Sequence, residues 1–174
     1  MKNFIHNLLQ QSGFYPVEND NTTLFIGNDD NPRKSYWVIL ERDDLDFLEI
    51  QNKVFSDCRS LVKKPDFDKN CSLVILLKIT EETDLVELKK TTLLIEENPY
   101  YFKKYVLIYK DEEYEHLIIK KEDKPERQFL ENQITNRECF NTYKANPQTH
   151  NWQSLVFRMA LKFPFMTVRY LYYC

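Results

Sequence analysis

The best-spaced candidates for chemistry in this chain are two carboxylates and a lysine, Asp84, Glu87 and Lys89. An Asp followed by a Glu, with a Lys two residues after the Glu, can hold a metal ion and its attacking water in a nuclease. In such a nuclease these groups converge at strand ends, whereas this segment has the periodicity of a helix. Charged side chains on the solvated face of a helix therefore explain the spacing better. A small metal-dependent nuclease-like enzyme that uses these residues is the alternative prediction.

Glycine is scarce, since the chain contains only Gly13 and Gly27. Phosphate-binding loops need glycines close together, because backbone amides must approach the anion. Neither common nucleotide-binding motif can be written from this sequence, and no serine has the flanking glycines of a nucleophile elbow. The sequence therefore excludes nucleotide binding by a P-loop or a Rossmann turn.

Histidines and cysteines are dispersed along the chain. His6, His116 and His150 each lie more than four residues from any other histidine or cysteine, so the local spacings of zinc sites are missing. A metal site built from distant residues and a nucleophilic pair of Cys139 with His150 stay open as alternatives. The pattern favours the absence of metal, cofactor and catalytic residues, with cysteines 58, 71, 139 and 174 as free thiols in a reducing cytosol.

Composition limits the classes of partner. The 174 residues, with 43% hydrophobic and 29% charged residues, are typical of one globular domain. A net charge of −3 argues against a dedicated binder of duplex DNA or of an anionic membrane. We expect DNA to be contacted only indirectly or weakly. No export signal or long apolar run is present, which predicts a soluble cytoplasmic protein without a membrane span.

Apolar periodicity predicts the elements of the N-terminal half. Residues 4–9 have helical spacing and end at Gly13, and segments 23–26 and 36–40 form a hairpin around the turn formers 27–32. Asp43 or Asp44 caps a helix whose apolar face includes residues 47, 50, 54, 58 and 61. The apolar run 72–79 is the central strand.

The remaining segments complete the predicted fold. Thr83 or Asp84 opens a helix that ends at Asn98, because the residue before a proline disfavours helix, and 104–109 forms a strand. Residues 111–123 fit either a helix or a strand, with a helix favoured; 120–127 is an exposed connection, and 152–163 is the clearest amphipathic helix.

These elements predict an α/β (α+β) fold in a single small domain. A central mixed or antiparallel sheet of about four strands carries packed helices over residues 1–124. Residues 125–174 form a helical C-terminal extension packed on the same domain.

Aromatic residues form the most distinctive surface candidate. Tyrosine, tryptophan, phenylalanine and arginine are enriched at protein interfaces, although packing in the core is the equal alternative. The proline-stiffened turn after the predicted second helix would hold its rings in a defined direction, with its lysines as a charged rim. The predicted partner-binding residues are Tyr100, Tyr101, Phe102, Lys103, Lys104 and Trp152.

Four strings carry a family resemblance over residues 35–110: YWVIL at 36–40, EIQ at 49–51, LVILL at 73–77 and IEENPYYFKKYVL at 95–107. This region resembles the middle component of bacterial ABC-three-component systems, a group that includes Lamassu-type defence systems. The resemblance implies a non-catalytic accessory subunit that bridges an SMC- or Rad50-like ATPase and an effector, often a nuclease, in defence against phage or plasmid DNA. It implies no catalytic residues.

Overall fold

The structure is a computed structural model that describes residues 1–18, 22–27, 35–44, 46, 50–147 and 149–166. The chain divides into two compact units, unit 1 at Met1–Ile108 and unit 2 at Tyr109–Cys174. The predicted turn formers 28–32, Phe47 and Cys174 lie outside the described residues. The predicted packing of residues 125–174 on the first domain stays a prediction.

Unit 1 contains nearly all of the sheet and the helices that position it. Its elements are α1 (Lys2–Gln11), β1 (Phe14–Glu18), β2 (Thr23–Gly27), β3 (Tyr36–Arg42), α2 (Gln51–Leu61), α3 (Phe67–Asn70), β4 (Cys71–Lys78), α4 (Leu85–Glu97) and β5 (Lys103–Tyr109). The predicted N-terminal helix, hairpin, second amphipathic helix and last strand are therefore confirmed.

The sheet has five strands in the order β1-β2-β3-β4-β5. The pairs β1–β2 and β2–β3 are antiparallel, whereas β3 and β4 are parallel, with Tyr36 opposite Cys71. The predicted mixed sheet is confirmed, with one strand more than expected. Strand β1 contains Pro16, which gives no ladder hydrogen bond and is tolerated because β1 is an edge strand. The predicted central strand, β4, is interior, but β3 is the middle strand.

Alternation along the strands separates the two faces of the sheet. One face packs with α2, α3 and α4 into a buried cluster that includes Leu24, Val38, Val54, Phe67, Leu73, Ile75, Leu88 and Val106. On the other face, the buried ring of Phe25 lies 4.8 Å from the ring of His6 in α1. Both faces of the inner strands are thus covered, which explains the continuous apolar run in β4.

Helix α2 starts later than the sequence predicts. It begins at Gln51, after Ile50 and without a side-chain cap, rather than just after Asp43 or Asp44. The Asp44 carboxylate instead accepts hydrogen bonds from Arg42 Nη2 at 2.7 Å and from the Asp46 amide at 3.0 Å. The predicted cap is therefore wrong, because a local ion pair and turn occupy this carboxylate.

Among its described residues, the secondary structure of unit 2 is helical apart from Tyr109, the last residue of β5. It contains α5 (Asp111–Lys121), α6 (Glu126–Thr135), α7 (Arg137–Ala145), α8 (Trp152–Lys162) and a 3-10 turn at Pro164–Met166. The helix favoured over 111–123 is confirmed, and so is the helix that ends before Pro164. The sequence predicts α6 and α7 only as a helical C-terminal part, because their apolar residues keep helical spacing over too few turns to define each helix.

Candidate partner-binding site

The segment between α4 and β5, residues 98–102, is here named the aromatic turn. Asn98 leaves the helix with extended backbone (φ −66°, ψ 118°), as expected for a residue before proline. Its side-chain oxygen accepts a hydrogen bond from the Tyr100 amide at 3.1 Å, and the Phe102 amide donates to the Tyr100 carbonyl at 2.9 Å. The turn is thus closed by its own hydrogen bonds.

Tyr101 has a positive φ of 66°. It is one of two non-glycine residues with a positive φ among those that the structure describes. A side chain in the left-handed region costs about 1 to 2 kcal/mol, so other contacts must hold it there. Helix α2 supplies such contacts through Phe55, whose ring centroid lies 5.2 Å from that of Tyr101 and 5.3 Å from that of Phe102. The turn is therefore anchored on α2.

Lys104 lies under the aromatic turn and is only 2% exposed. Its Nζ donates to the Tyr100 carbonyl at 2.6 Å, to the Asn98 carbonyl at 3.0 Å and to Asn98 Oδ1 at 3.1 Å, with Phe102 O at 3.4 Å. Burial lowers the pKa of Lys104, because the charged form loses water. The hydrogen bonds to the ammonium replace part of the water that burial removes.

The predicted contact residues of the turn fall into two groups. Tyr100 is 66% exposed and Tyr101 is 39% exposed. Lys103 is also exposed, with its Nζ 5.3 Å from the centre of the Tyr105 ring. Phe102 and Lys104 are buried, so they contribute no outer surface in this conformation. The predicted charged rim therefore has one exposed lysine, Lys103, because the Lys104 ammonium is turned inward to the carbonyls of the turn.

Trp152, the remaining predicted contact residue, belongs to unit 2. It is the first residue of α8, after Asn151, whose side chain accepts from the Ser154 amide at 2.8 Å. Its ring is half-buried, with its centroid 6.1 Å from that of Phe129. Packing within unit 2 thus uses part of the indole and leaves part of it accessible.

The three residues of the alternative prediction are exposed and do not converge. Asp84 is the N-cap of α4, where its carboxylate accepts from the Val86 amide at 2.9 Å and from the Glu87 amide at 3.2 Å. Glu87 lies 3.5 Å from Lys90, and both side chains are 68% exposed. Over the part of the chain that the structure describes, no group of three His, Cys, Asp or Glu side chains could hold a metal ion.

The described cysteines are free thiols. Burial raises the pKa of Cys58 to about 12 and that of Cys71 well above its usual range, so neither carries the thiolate needed for nucleophilic attack. The half-buried Cys139 thiol donates to Gln133 Oε1 at 3.6 Å and accepts from Gln153 Nε2 at 3.8 Å. These thiols serve packing and weak polar contacts.

A buried charge cluster in unit 2 was not predicted from the sequence. Glu113, 2% exposed, accepts a short hydrogen bond from Arg158 and a 2.8 Å bond from the Lys110 amide. His150 Nδ1 lies 3.4 Å from Glu113 Oε1 and 3.4 Å from Arg158 Nη1. Burial lowers the pKa of His150, and the Glu113 charge opposes that shift. The cluster links α5 to α8 across 45 residues, a separation at which no sequence spacing gives a signal.

A family model described as ABC-three component (ABC-3C) system Middle Component 1 matches residues 35–137, which is more than half of the chain. The chain belongs to this family. The match includes the whole aromatic turn and confirms the resemblance found over residues 35–110. No curated protein and no solved structure gives a significant match.

Middle Component 1 proteins are, by that description, one part of a system with further components. The family description therefore implies that this chain associates with the other components of such a system. Among the described residues, no helix is both long and apolar enough to cross a membrane.

Proposed function

We propose that this Middle Component 1 protein is a non-catalytic cytoplasmic subunit that bridges an SMC- or Rad50-like ATPase and an effector such as a nuclease. The complex would act in defence against phage or plasmid DNA. The family match over residues 35–137 carries the proposal. The use of Asp84 as the N-cap of α4, where its Oδ1 accepts from two amides, supports a role without metal chemistry.

The proposed contact surface consists of Tyr100, Tyr101 and Lys103. Two exposed tyrosines side by side give a large amphipathic area at a low cost in side-chain entropy. The turn is already closed in the free chain, so little ordering entropy is lost when a partner binds. Lys103 suits an acidic partner surface, for example a coiled coil or an ATPase head.

A bridging subunit needs a second surface, and Trp152 is our candidate in unit 2. Its indole is half-buried and starts the amphipathic helix α8. Tryptophan is among the residues most often found as an interface anchor.

The test is co-purification with the other components of the same system. Tyr100→Ala should weaken complex formation by about tenfold or more, the range for an interface anchor, without lowering the melting temperature. Tyr15→Ala is the matched control, because Tyr15 is a tyrosine of similar exposure, 47%, on strand β1. If Tyr100→Ala and Trp152→Ala both co-purify as well as the wild type, these surfaces are not the interfaces.

The non-catalytic part of the proposal has its own test. The purified chain is incubated with DNA and Mg²⁺ or Mn²⁺, alongside Glu87→Ala. We expect no cleavage by either protein. Cleavage by the wild type that disappears in Glu87→Ala would establish the metal-dependent nuclease instead.

A further inference from the structure

We propose that Lys104 is a positioning residue whose ammonium is an internal cation around which the aromatic turn is built. The cation holds Tyr100 and Tyr101 in the arrangement that meets the partner. This second statement rests on the proposed function. The first does not, and it can be tested on the isolated chain.

The contacts of Lys104 are those of a cation site. Its Nζ faces three main-chain carbonyls and one side-chain amide oxygen, at 2.6 to 3.4 Å. An ammonium has three donors, which match the three contacts of 3.1 Å or less. None of the four oxygens belongs to a carboxylate, so no counter-charge explains the contact. Neutral carbonyl oxygens converging on one point are the ligand set that proteins use for monovalent cations.

The cation acts directly on the strained residue. Two of its acceptors, the carbonyls of Tyr100 and Phe102, belong to the neighbours of Tyr101, whose φ is 66°. Backbone in this region persists only where surrounding contacts over-determine it. The 2.6 Å contact turns the Tyr100 carbonyl inward toward Nζ, and the Phe102 carbonyl faces the same cation at 3.4 Å. This arrangement selects the backbone that points the Tyr100 ring outward.

Charge, rather than the aliphatic chain, is the required property. A methionine in place of Lys104 would fill nearly the same volume but would leave part-buried carbonyls without a donor. A guanidinium is planar and wider than an ammonium, so arginine does not reproduce the same convergence. Removing the side chain beyond Cβ would leave a space with the size of n-propylammonium, lined by the same oxygens.

The primary experiment is chemical rescue of Lys104→Ala. Lys104→Ala and Lys104→Met should each lower the melting temperature by about 5 °C, because part-buried acceptors lose their donor. n-Propylammonium at about 100 mM should restore part of this loss in Lys104→Ala alone, by mass action on the folded state. The neutral isostere n-propanol should not. Equal rescue by n-propanol, or a Lys104→Met variant as stable as the wild type, would overturn the proposal.

A second measurement does not depend on the variants folding. In the wild type, the Lys104 ammonium should give a ¹H–¹⁵N signal protected from solvent exchange, because it is buried and hydrogen-bonded. The signal should persist in Lys103→Met, the exposed neighbour. A wild-type protein without any protected lysine ammonium contradicts the cation role.

Partner binding separates the two parts of the inference. Lys104→Met should lose co-purification as Tyr100→Ala does, although its own side chain is buried. If Tyr100→Ala loses its partners and Lys104→Met keeps them, Lys104 does not position the turn. If Tyr100→Ala keeps its partners, the proposed contact surface is wrong, while the rescue experiment still decides the cation role.

Discussion

The Tyr101 ring packs on the Phe55 ring, with centroids 5.2 Å apart and planes inclined at 45°, while the Tyr101 backbone lies at a φ of 66°. A favourable ring contact with α2 and an unfavourable backbone conformation therefore meet in one residue. The aromatic turn keeps its shape because the contacts of Phe55 and Lys104 together outweigh that strain.

The backbone strain can be measured by comparing Tyr101→Gly with Tyr101→Ala. Both variants lack the ring, so their difference reports the cost of a Cβ at positive φ. We expect the glycine variant to be more stable by about 0.5 to 1 kcal/mol in urea unfolding. At Leu94, an exposed position in α4, the order should reverse, with alanine more stable by about 1 kcal/mol. If the alanine variant is the more stable one at position 101 as well as at position 94, the backbone of Tyr101 is not strained.

The buried pair of Glu113 and Arg158 should contribute strongly to the stability of unit 2. Arg158→Met leaves a carboxylate that is 2% exposed without its cation, which typically costs about 3 kcal/mol or more. The exposed pair Arg127–Glu131, with side chains 43% and 39% exposed, is the control, and Arg127→Met should cost less than about 1 kcal/mol. If Arg158→Met and Arg127→Met lower the free energy of unfolding in urea by similar amounts, the buried Glu113 carboxylate does not need Arg158 for its stability.

His150 should make stability fall in mild acid. Burial lowers its pKa below the unfolded value near 6.5, so between these values the unfolded chain binds a proton that the folded chain does not. The contribution is complete above the unfolded pKa and decreases as the pH falls toward the folded pKa. Between about pH 7.5 and about pH 5.5, His150→Gln should therefore lose less stability than the wild type.

The control for this pH dependence is His116→Gln on the exposed face of α5, which should follow the wild type. Urea unfolding at both pH values gives the comparison. A larger acid loss in His150→Gln than in the wild type would reverse the assigned direction of the pKa shift.

Asp84 should behave as a helix cap. Asp84→Ala should destabilise the chain by about 1 kcal/mol, because two amides of α4 lose their acceptor, and Asp84→Ser should recover most of the loss. Added Mg²⁺ should change the melting temperature of neither variant relative to the wild type. A Mg²⁺-dependent stabilisation seen only with Asp84 present would favour the metal-site alternative.

The sequence by itself determined the elements whose signals are local. Helices α1, α4 and α8 have their apolar residues at helical spacing, and Gly13, Pro99 and Pro164 end these patterns within a few residues. The family strings lie in the same elements. The exposed tyrosines could be proposed as a surface because a proline-stiffened turn is also a local feature.

Only the tertiary structure decided which polar groups are buried and what they contact. Strand β1 can contain Pro16 because it lies at the edge of the sheet. Lys104 turns inward because the turn brings main-chain carbonyls within hydrogen-bond distance of its Nζ. Glu113 and Arg158 meet across 45 residues. A buried charge is stable only where the folded chain replaces its lost water, and residue type and spacing do not contain that information.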